Sequence, residues 1–341
     1  GKKREKAASD FSYMLSKTFF YDREINIPLS IARNSVAIEI DDDVAKKDTT
    51  FWLKNRKDRF SKRDRNTFAV KDSLAFFKGI NAKLFFGRKI INGYVPIGFF
   101  DFDLRYLMSY NNYEGFRFGL GGTTNERFSK NFKLDGYAAY GLKDDELKYH
   151  LGGSTRVGNF SNTWAGLSYT DDVQEIGSTK FNIDKRVFKI YDPRPINVST
   201  FYHHQTWKGY VETNFLPKTE SIWQLNHSKI EPLFNYAFFD GENLYNQYTM
   251  TTASVSIQWN PFSDYMHTPS GKIEIEKRFP KFTFQFTESL PDFLGNDFQF
   301  GKIDARAEYE KQFINGQKST VLIQAGYAFG DVPLTHLYNN S

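Results

Sequence analysis

An alternation of apolar and polar side chains with a period of two is the feature that most constrains the fold of this sequence. From Phe99 onward it recurs in segment after segment, as where Phe100, Phe102 and Leu104 alternate with Asp101 and Asp103. Successive side chains of a β-strand point to opposite faces of a sheet, so this period is typical of strands whose faces meet different surroundings. The pattern predicts a chain of strands, each with one apolar and one polar face.

Between Phe99 and the C-terminus we predict twelve clear strands and two weaker ones, at residues 187–191 and 233–239. Asn111-Asn112 and Asn315-Gly316 are turn signals that join neighbouring strands. We also predict that a strand containing Ile273 and Ile275 pairs with one containing Phe282 and Phe286, through a turn near Pro280. The expected arrangement is an up-and-down meander of antiparallel strands.

The amino-acid composition helps to decide whether the apolar face meets lipid or a protein core. Aromatic residues make up 18% of the chain, yet charged residues make up 25% and the mean hydropathy is −0.56. A membrane barrel has a place for both excesses, because rings form girdles at the two membrane interfaces while charges line the lumen. A soluble sandwich or propeller is the alternative. We favour an all-β fold, a transmembrane antiparallel up-and-down β-barrel of about 12–16 strands, placed in the outer membrane.

Under this hypothesis, the charged residues that alternate with apolar ones face the lumen. Opposite charges on neighbouring strands can pair there, whereas lipid would oppose them on the outer face. The lumen-facing candidates are Asp101, Asp103, Arg105, Arg117, Lys133, Asp135, Lys148, Asp304, Arg306 and Glu308.

Residues 1–98 differ from the remainder, which we assign to the barrel as residues 99–341. They carry a net charge of +9, against −4 for the remainder. Their patterns are mixed: a short strand around Ile38, and a helix near 61–77 that begins with Ser61 as N-cap and Asp64 three residues later. We expect a pre-barrel, periplasmic α+β segment whose helix packs by the barrel or binds a partner. If strand one starts at Phe99, the tight turns face outward, against the general rule; an extra strand at residues 85–91 would reverse this.

Several classes of protein are excluded or disfavoured. No run of apolar residues approaches the roughly 18 that a membrane-spanning helix needs. The chain has no cysteine, so it can form neither a disulfide nor a Cys-ligated metal site. The basic N-terminus lacks the apolar core of a signal peptide, so we expect that the start is cut from a longer, exported precursor or is an internal boundary of a larger chain. No recognised motif accompanies the basic charge, which disfavours nucleic acid as a partner.

One pattern allows an enzyme. His203-His204 and Asp171-Asp172 could build a base and carboxylate in an extracellular loop. No nucleophile motif accompanies them, and the further ligands that a metal would need are not identifiable. We therefore predict no catalytic residue, no metal site and no cofactor.

Three stretches, residues 92–98, 110–125 and 136–149, resemble an uncharacterised family of outer-membrane barrels of Bacteroidota. Residues around Asp41, Phe51-Trp52, Asp72-Ser73 and Gly330-Asp331-Val332-Pro333-Leu334 extend the resemblance over nearly the whole chain. The residues that carry the most specific part of the motif are Tyr110, Asn111, Glu114, Gly115, Arg117, Gly121, Thr124 and Asn125.

Members of that family typically have a carboxypeptidase-regulatory-like domain ahead of the barrel. The family is distantly similar to surface-antigen barrels, which have sixteen strands and assemble or translocate other proteins. The resemblance implies a structural or envelope-assembly component whose partners are outer-membrane lipid and other envelope proteins. Because the regulatory-like domain and an aromatic-ended last strand are missing, we expect truncation at both ends. A passive or gated channel for small solutes and an outer-membrane enzyme remain the alternatives.

Overall fold

The computed structural model describes residues 38–40, 47–55, 61–77, 80–159, 161–177, 180–185, 200–239, 244–268, 271–313 and 315–338. Most of these residues lie in antiparallel β-strands. The predicted all-β class is therefore confirmed.

The first described elements are a two-residue strand and three helices. They are β1 (Ile38–Glu39), α1 (Thr49–Asn55), α2 (Lys62–Phe77) and α3 (Ile80–Ile91). The predicted start of α2 is confirmed, because the Asp64 backbone N–H donates to Ser61 Oγ at 3.1 Å while the Ser61 N–H donates to the Asp64 carboxylate at 2.9 Å. These reciprocal bonds satisfy donors that a helix start leaves without intrahelical partners. None of the described helices is long and apolar enough to cross a membrane.

The strand considered for residues 85–91 is wrong, since this segment is the second half of α3. Its apolar residues come in adjacent pairs, Phe85-Phe86 and Ile90-Ile91. Two adjacent side chains cannot share a strand face, whereas residues four apart such as Phe86 and Ile90 share a helix face.

The remaining strands begin at Tyr94 and continue to Gly330. They are β2 (Tyr94–Ile97), β3 (Phe100–Asp103), β4 (Met108–Asn111), β5 (Gly115–Thr124), β6 (Phe132–Gly141), β7 (Leu147–Gly158), β8 (Thr163–Glu175), β9 (Phe201–Thr213), β10 (Thr219–Pro232), β11 (Phe238–Phe239), β12 (Leu244–Tyr245), β13 (Tyr248–Trp259), β14 (Asp264–Thr268), β15 (Gly271–Glu276), β16 (Lys281–Ser289), β17 (Phe300–Gln312) and β18 (Lys318–Gly330).

Thirteen of these strands form one antiparallel sheet, in the order β18-β17-β16-β13-β10-β9-β8-β7-β6-β5-β3-β2, with β4 also paired to β5. Neighbours in the sheet follow one another along the chain, except that the pairs β11–β12 and β14–β15 lie outside the large sheet. Within the described residues the sheet is open, because no ladder joins β2 to β18. Closure into a barrel remains a prediction, and so does the division of the chain at residue 98, although the sheet itself begins at Tyr94 rather than at Phe99.

Two strand predictions were wrong. Ile273 and Ile275 lie in β15, which pairs with β14 in a small sheet that also includes β1, while β16 pairs with β13 and β17. At residues 233–239 only Phe238 and Phe239 are extended, and they pair with β12. Alternation was present in both segments, but it does not say which strand is the partner. The prediction for residues 187–191 lies outside the described residues.

The alternation that starts at Phe100 continues to Met108, except at Leu107, and predicts one long strand; the structure breaks this strand in the middle. β3 and β4 both pair with β5, and a 3-10 turn at Leu104–Tyr106 separates them. The Asp103 side chain accepts a hydrogen bond from the Arg105 backbone N–H at 3.0 Å, which caps this turn. The break coincides with Leu107, the one residue that interrupts the alternation.

The two faces of the large sheet differ as the alternation predicts. On one face, many buried positions are polar, including Lys148, Ser254, Ser256, Thr283 and Asp304, and one apolar cluster of Tyr202, Ile230, Tyr248, Met250 and Phe300 is buried there too. On the other face, large apolar side chains are exposed, including Phe118, Leu151, Leu167, Trp223, Phe284, Ile303 and Tyr327. We call these the polar face and the apolar face.

Candidate functional site

The polar face encloses a cavity of about 570 Å³. Its lining comes from β2, the turn after β3, and strands β5 to β9, with Lys180 from the connection that follows β8. Charges of both signs line it, among them Asp103, Arg105, Asp135 and Asp172. The cavity and the ion pairs around it are the candidate functional site.

A charged network at the start of β5 is the most connected part of this site. Arg117 forms a two-pronged ion pair with Asp172 of β8, at 2.6 and 3.0 Å, and contacts Glu114 at 3.4 Å. Tyr137 of β6 donates a short hydrogen bond to the same Asp172 carboxylate. Parallel N–H···O bonds between a guanidinium and a carboxylate combine energy with fixed geometry. The network therefore fastens β5, β6 and β8 to one another across the polar face.

Glu114 extends the network to β7. Its side chain is 1% exposed and lies 3.4 Å from the ammonium of Lys148, which is equally buried. Lys148 also donates to Asp144, in the turn between β6 and β7. A buried charge needs such partners, because desolvation otherwise opposes ionisation. The salt bridge between Glu114 and Arg117 is thus part of a larger cluster of charges.

Rings and a histidine line the cavity beside this network. The rings of Tyr106, Tyr137 and His150 stack in a row, with centroids 4.3 and 5.5 Å apart. His150 Nε2 lies 2.9 Å from the Asp135 carboxylate, and Nδ1 lies 2.7 Å from Thr170 Oγ1. Both ring nitrogens are therefore engaged, which fixes the orientation of the imidazole.

The other lumen-facing candidates also lie on the polar side. Lys133 places its ammonium 3.8 Å from the ring centroid of Trp164. Arg105 bonds Asp103 and lies within 2.5 Å of the Tyr94 hydroxyl. Asp101, which is 2% exposed, accepts from Lys89 of α3.

Asp304, Arg306 and Glu308 follow one another along the polar face of β17. Asp304 accepts a hydrogen bond from the Tyr338 hydroxyl at 2.6 Å, and Arg306 pairs with Asp184. Glu308 lies opposite Lys281 of β16 in the register. All ten candidates share this side of the sheet; that it is a lumen remains a prediction.

The motif residues outside the network shape the turns around it. Asn111 Oδ1 accepts from the backbone N–H groups of Tyr113 and Glu114, at 3.0 and 2.7 Å, and Gly115 has φ +68°. This left-handed conformation favours glycine. Asn125 donates to Gly98 O and to Asp101, both at 3.1 Å. These contacts set the ends of β3, β4 and β5.

The last three motif residues pack at close quarters. Tyr110 meets the Phe116 ring edge to face, with centroids 5.2 Å apart, and Thr124 accepts from the Leu134 N–H at 2.9 Å. A Cβ on Gly121 would lie 2.5 Å from the Cβ of Tyr137. Glycine at this position therefore allows the stacked rings to approach the sheet.

Two chain segments fold onto the polar face, and sequence reasoning missed both. Residues 180–185, in the connection after β8, contact β13, β16 and β17. Residues 331–338, after β18, place His336 and Thr335 against β9, β13 and β17: Lys302 donates to His336 O at 2.8 Å, and Thr335 contacts the Tyr248 hydroxyl. Neither segment has a periodic pattern that could have revealed it.

The histidines considered for catalysis are not in a loop, so that placement was wrong. His203 and His204 lie in β9; in the register Asp172 of β8 is opposite His204, and Asp171 is opposite Gln205. His203 Nε2 is 2.6 Å from Asp171 Oδ1. This pair shares the apolar side with Tyr169, because residues two apart in a strand share a face. His204 and Asp172 point the other way and line the cavity.

Within the described parts of the chain, no group of three or more His, Asp or Glu side chains is placed to hold a metal ion. The His203–Asp171 contact supplies a base and its carboxylate partner, but it lies on the opposite face from the cavity. The polar site is thus built from ion pairs and stacked rings.

Comparison with known proteins found a match to one protein family. Residues 82–331 match the model of a family of unknown function, described as the DUF5686 C-terminal domain. Comparisons with curated proteins and with solved structures each found no match. The family match begins within α3 and ends just after β18, so it covers the whole large sheet and well over half of the chain. The chain belongs to the DUF5686 family, whose function is unknown.

Proposed function

We propose that this chain is an outer-membrane β-barrel protein that serves as a structural or envelope-assembly component together with partner proteins. The observation that carries the proposal is the polarity of its sheet. Many buried positions of the polar face are charged or hydroxylated beside one apolar cluster around Ile230 and Met250, whereas the apolar face exposes many aromatic and aliphatic side chains. A water-soluble protein buries its apolar side, and a membrane barrel does the reverse.

The spacing of aromatic residues on the apolar face supports a location in a lipid bilayer. Tyr169 and Trp207 are register partners, and Trp207 is level with His227 of β10. Trp259 of β13 is level with Thr219 of β10. His227 and Thr219 are eight residues apart along β10. Eight residues span about 27 Å along a strand, which is about 20 Å along the axis of a barrel whose strands tilt by roughly 40°. This height is comparable to the apolar band of outer-membrane barrels.

Side chains between these two levels agree with that band. Most outward positions there are apolar or lack a side chain, as at Leu167, Gly209, Leu225, Ala253 and Val255, and Ser221 of β10 is a polar exception. The ionisable pair Asp171 and His203 lies beyond the Tyr169 level, where lipid headgroups would be. Glu288 of β16, the register partner of Ala253, is an exposed charged side chain on this face at the height of the band.

Closure of the sheet is part of the proposal. β18 is thirteen residues long and exposes Val321, Ile323 and Tyr327, and its outer edge has no partner strand among the described residues. Lipid cannot satisfy unpaired backbone groups, so a membrane sheet must close. We propose that it closes around the polar face.

The filling of the polar side favours a structural or assembly role over an open pore. The network around Arg117 ties three strands together, and two segments of the chain fold onto the same face. The outer-membrane location, the origin in Bacteroidota and the kinship with surface-antigen barrels belong to this proposal, and they rest on the sequence resemblance. A gated channel is the second candidate, because a cavity of about 570 Å³ with a charged lining remains.

The location is tested by the need for a membrane-like solvent. We expect the purified chain to aggregate in buffer and to become monodisperse in detergent micelles, with a band on unheated gels that shifts on boiling. A monodisperse protein in buffer without detergent contradicts the proposal.

The assembly role is tested by affinity capture from cross-linked cell envelopes, with an unrelated outer-membrane barrel of similar size as the control. We expect envelope proteins that the control does not capture. Recovery of the chain alone, without a stable partner, would contradict this role while leaving the location intact.

A further inference from the structure

The connection between β8 and β9 sends a short segment onto the polar face. Residues 180–185 include Phe181 and Ile183, which are 2% and 6% exposed. These two are among the most buried apolar side chains of the described residues, although the wall behind them is polar. The segment is therefore docked on the sheet.

Hydrogen bonds to two strands hold its centre. The Asn182 backbone N–H donates to Gln285 Oε1 of β16 at 2.7 Å, and Asn182 Nδ2 donates to Ser254 Oγ of β13 at 2.9 Å. Gln285 in turn donates to Lys180 O at 3.4 Å. The wall thus recognises both the main chain and a side chain of the segment.

An ion pair holds its end. The two carboxylate oxygens of Asp184 accept from the guanidinium of Arg306 at 2.8 and 2.5 Å. The same guanidinium lies 4.5 Å from the ring centroid of Phe181. A two-pronged pair of this kind is directional as well as strong.

The opposite side of the segment faces open space. Lys180 lines the cavity of about 570 Å³, and Asn182 lines a second cavity of about 130 Å³. Asp135 and His150, from β6 and β7, line both cavities. The segment therefore stands between the wall formed by β13, β16 and β17 and the space in front of β6 to β9.

We propose that residues 180–184 are an internal plug that closes the interior of the barrel to small ions, held in place by Asn182 and by the Asp184–Arg306 pair. This inference rests on the proposed function, since it requires the sheet to close in a membrane. Release of the segment from Ser254, Gln285 and Arg306 opens a path along the charged cavity.

The test uses the full chain in planar bilayers with potassium chloride as the probe. We expect the unaltered protein to be closed most of the time. The double variant Asn182→Ala/Asp184→Asn removes the Asn182 side-chain bond and the ion pair, so the fraction of time spent open should rise at least tenfold. Lys185→Gln is the matched control, because this neighbouring side chain is 80% exposed and lies 3.9 Å from its partner Glu220. The control should behave as the unaltered protein.

A second variant keeps the test decisive if the first does not fold. The chain has no cysteine, so Asn182→Cys/Ser254→Cys introduces the only two thiols. We expect a short bis-methanethiosulfonate reagent to link them efficiently in detergent, to hold the channel closed, and to release it on reduction.

Failure of the plug and failure of the proposed function give different results. If vesicle flotation shows that the chain does not insert into bilayers, the proposed function is wrong and the plug with it. If the chain inserts but the double variant conducts like the unaltered protein, or the two thiols cannot be linked, the plug alone is wrong.

Discussion

At the scale of single residues, the ion pairs of the polar face decide how strands that are distant in sequence stay together. Arg117 and Asp172 are 12% and 14% exposed, so solvent screens their attraction only weakly. Removing one partner leaves the other charge buried and uncompensated.

We therefore expect Arg117→Gln to lower the free energy of unfolding by about 3 kcal/mol, measured by urea titration in detergent micelles. Adding Asp172→Asn should restore part of the loss, because it removes the charge left behind. Arg127→Gln, in the exposed connection between β5 and β6, is the control and should change stability by less than about 0.5 kcal/mol. A loss at Arg117 no larger than at Arg127 would show that the network does not stabilise the fold.

A glycine pair tests the packing behind the stacked rings. A Cβ at position 121 would lie 2.5 Å from the Cβ of Tyr137 and 2.7 Å from the Tyr106 ring. Gly121→Ala should cost about 1–3 kcal/mol, because it overpacks the site. Gly209 lies in β9 with no atom within 4 Å of its ideal Cβ, so Gly209→Ala should be close to neutral in the same titration. Equal effects at the two positions would contradict the close approach.

At the scale of elements, segments without periodicity matter as much as the strands. Residues 331–338 bring His336 into a half-buried position beside the rings of Tyr202 and Phe300. Burial, together with the nearby charges of Lys302 and His204, lowers the pKa of His336 to about 3. The folded segment therefore holds this imidazole neutral.

This makes stability depend on pH in a defined direction. An unfolded histidine has a pKa near 6.5. Between pH 6.5 and about 3 the unfolded chain binds a proton that folded His336 does not, so stability falls as pH falls, by up to about 1.4 kcal/mol per pH unit from this group. His336→Gln should make the free energy of unfolding depend less steeply on pH in this window. Above pH 7 the two proteins should show the same slope; equal slopes below pH 6 would contradict the assignment.

At the scale of the whole molecule, the proposal requires the apolar face to meet hydrocarbon. Leu167 and Leu216 are similarly exposed, at 57% and 51%, but Leu167 lies inside β8 within the apolar band and Leu216 lies in the connection after β9.

Leu167→Arg should make folding into lipid vesicles less favourable by about 2–4 kcal/mol, whereas Leu216→Arg should change the folding free energy by about 1 kcal/mol or less. The reason is that a guanidinium near the bilayer centre loses its hydration and one at the interface keeps it. If both substitutions are equally mild, the apolar face meets water and the membrane proposal fails.

The alternation of side chains was sufficient to predict the all-β class, most of the strands and the general character of each face, and the capping residues Ser61 and Asp64 predicted the helix α2. These are local properties, because the direction of a side chain in a strand and the cap of a helix depend on neighbours within a few residues. The common face of the ten charged candidates followed from the same parity.

Only the tertiary structure decided which groups meet. Contacts between distant parts of the chain pair Arg117 with Asp172 and place β15 outside the large sheet. They also fold residues 180–185 and 331–338 onto the polar face. A strand's alternation is the same whichever partner it takes, and an aperiodic segment carries no mark of the surface it will cover. Pairing and docking are set by the combined free energy of many distant contacts, and no single stretch of sequence contains that information.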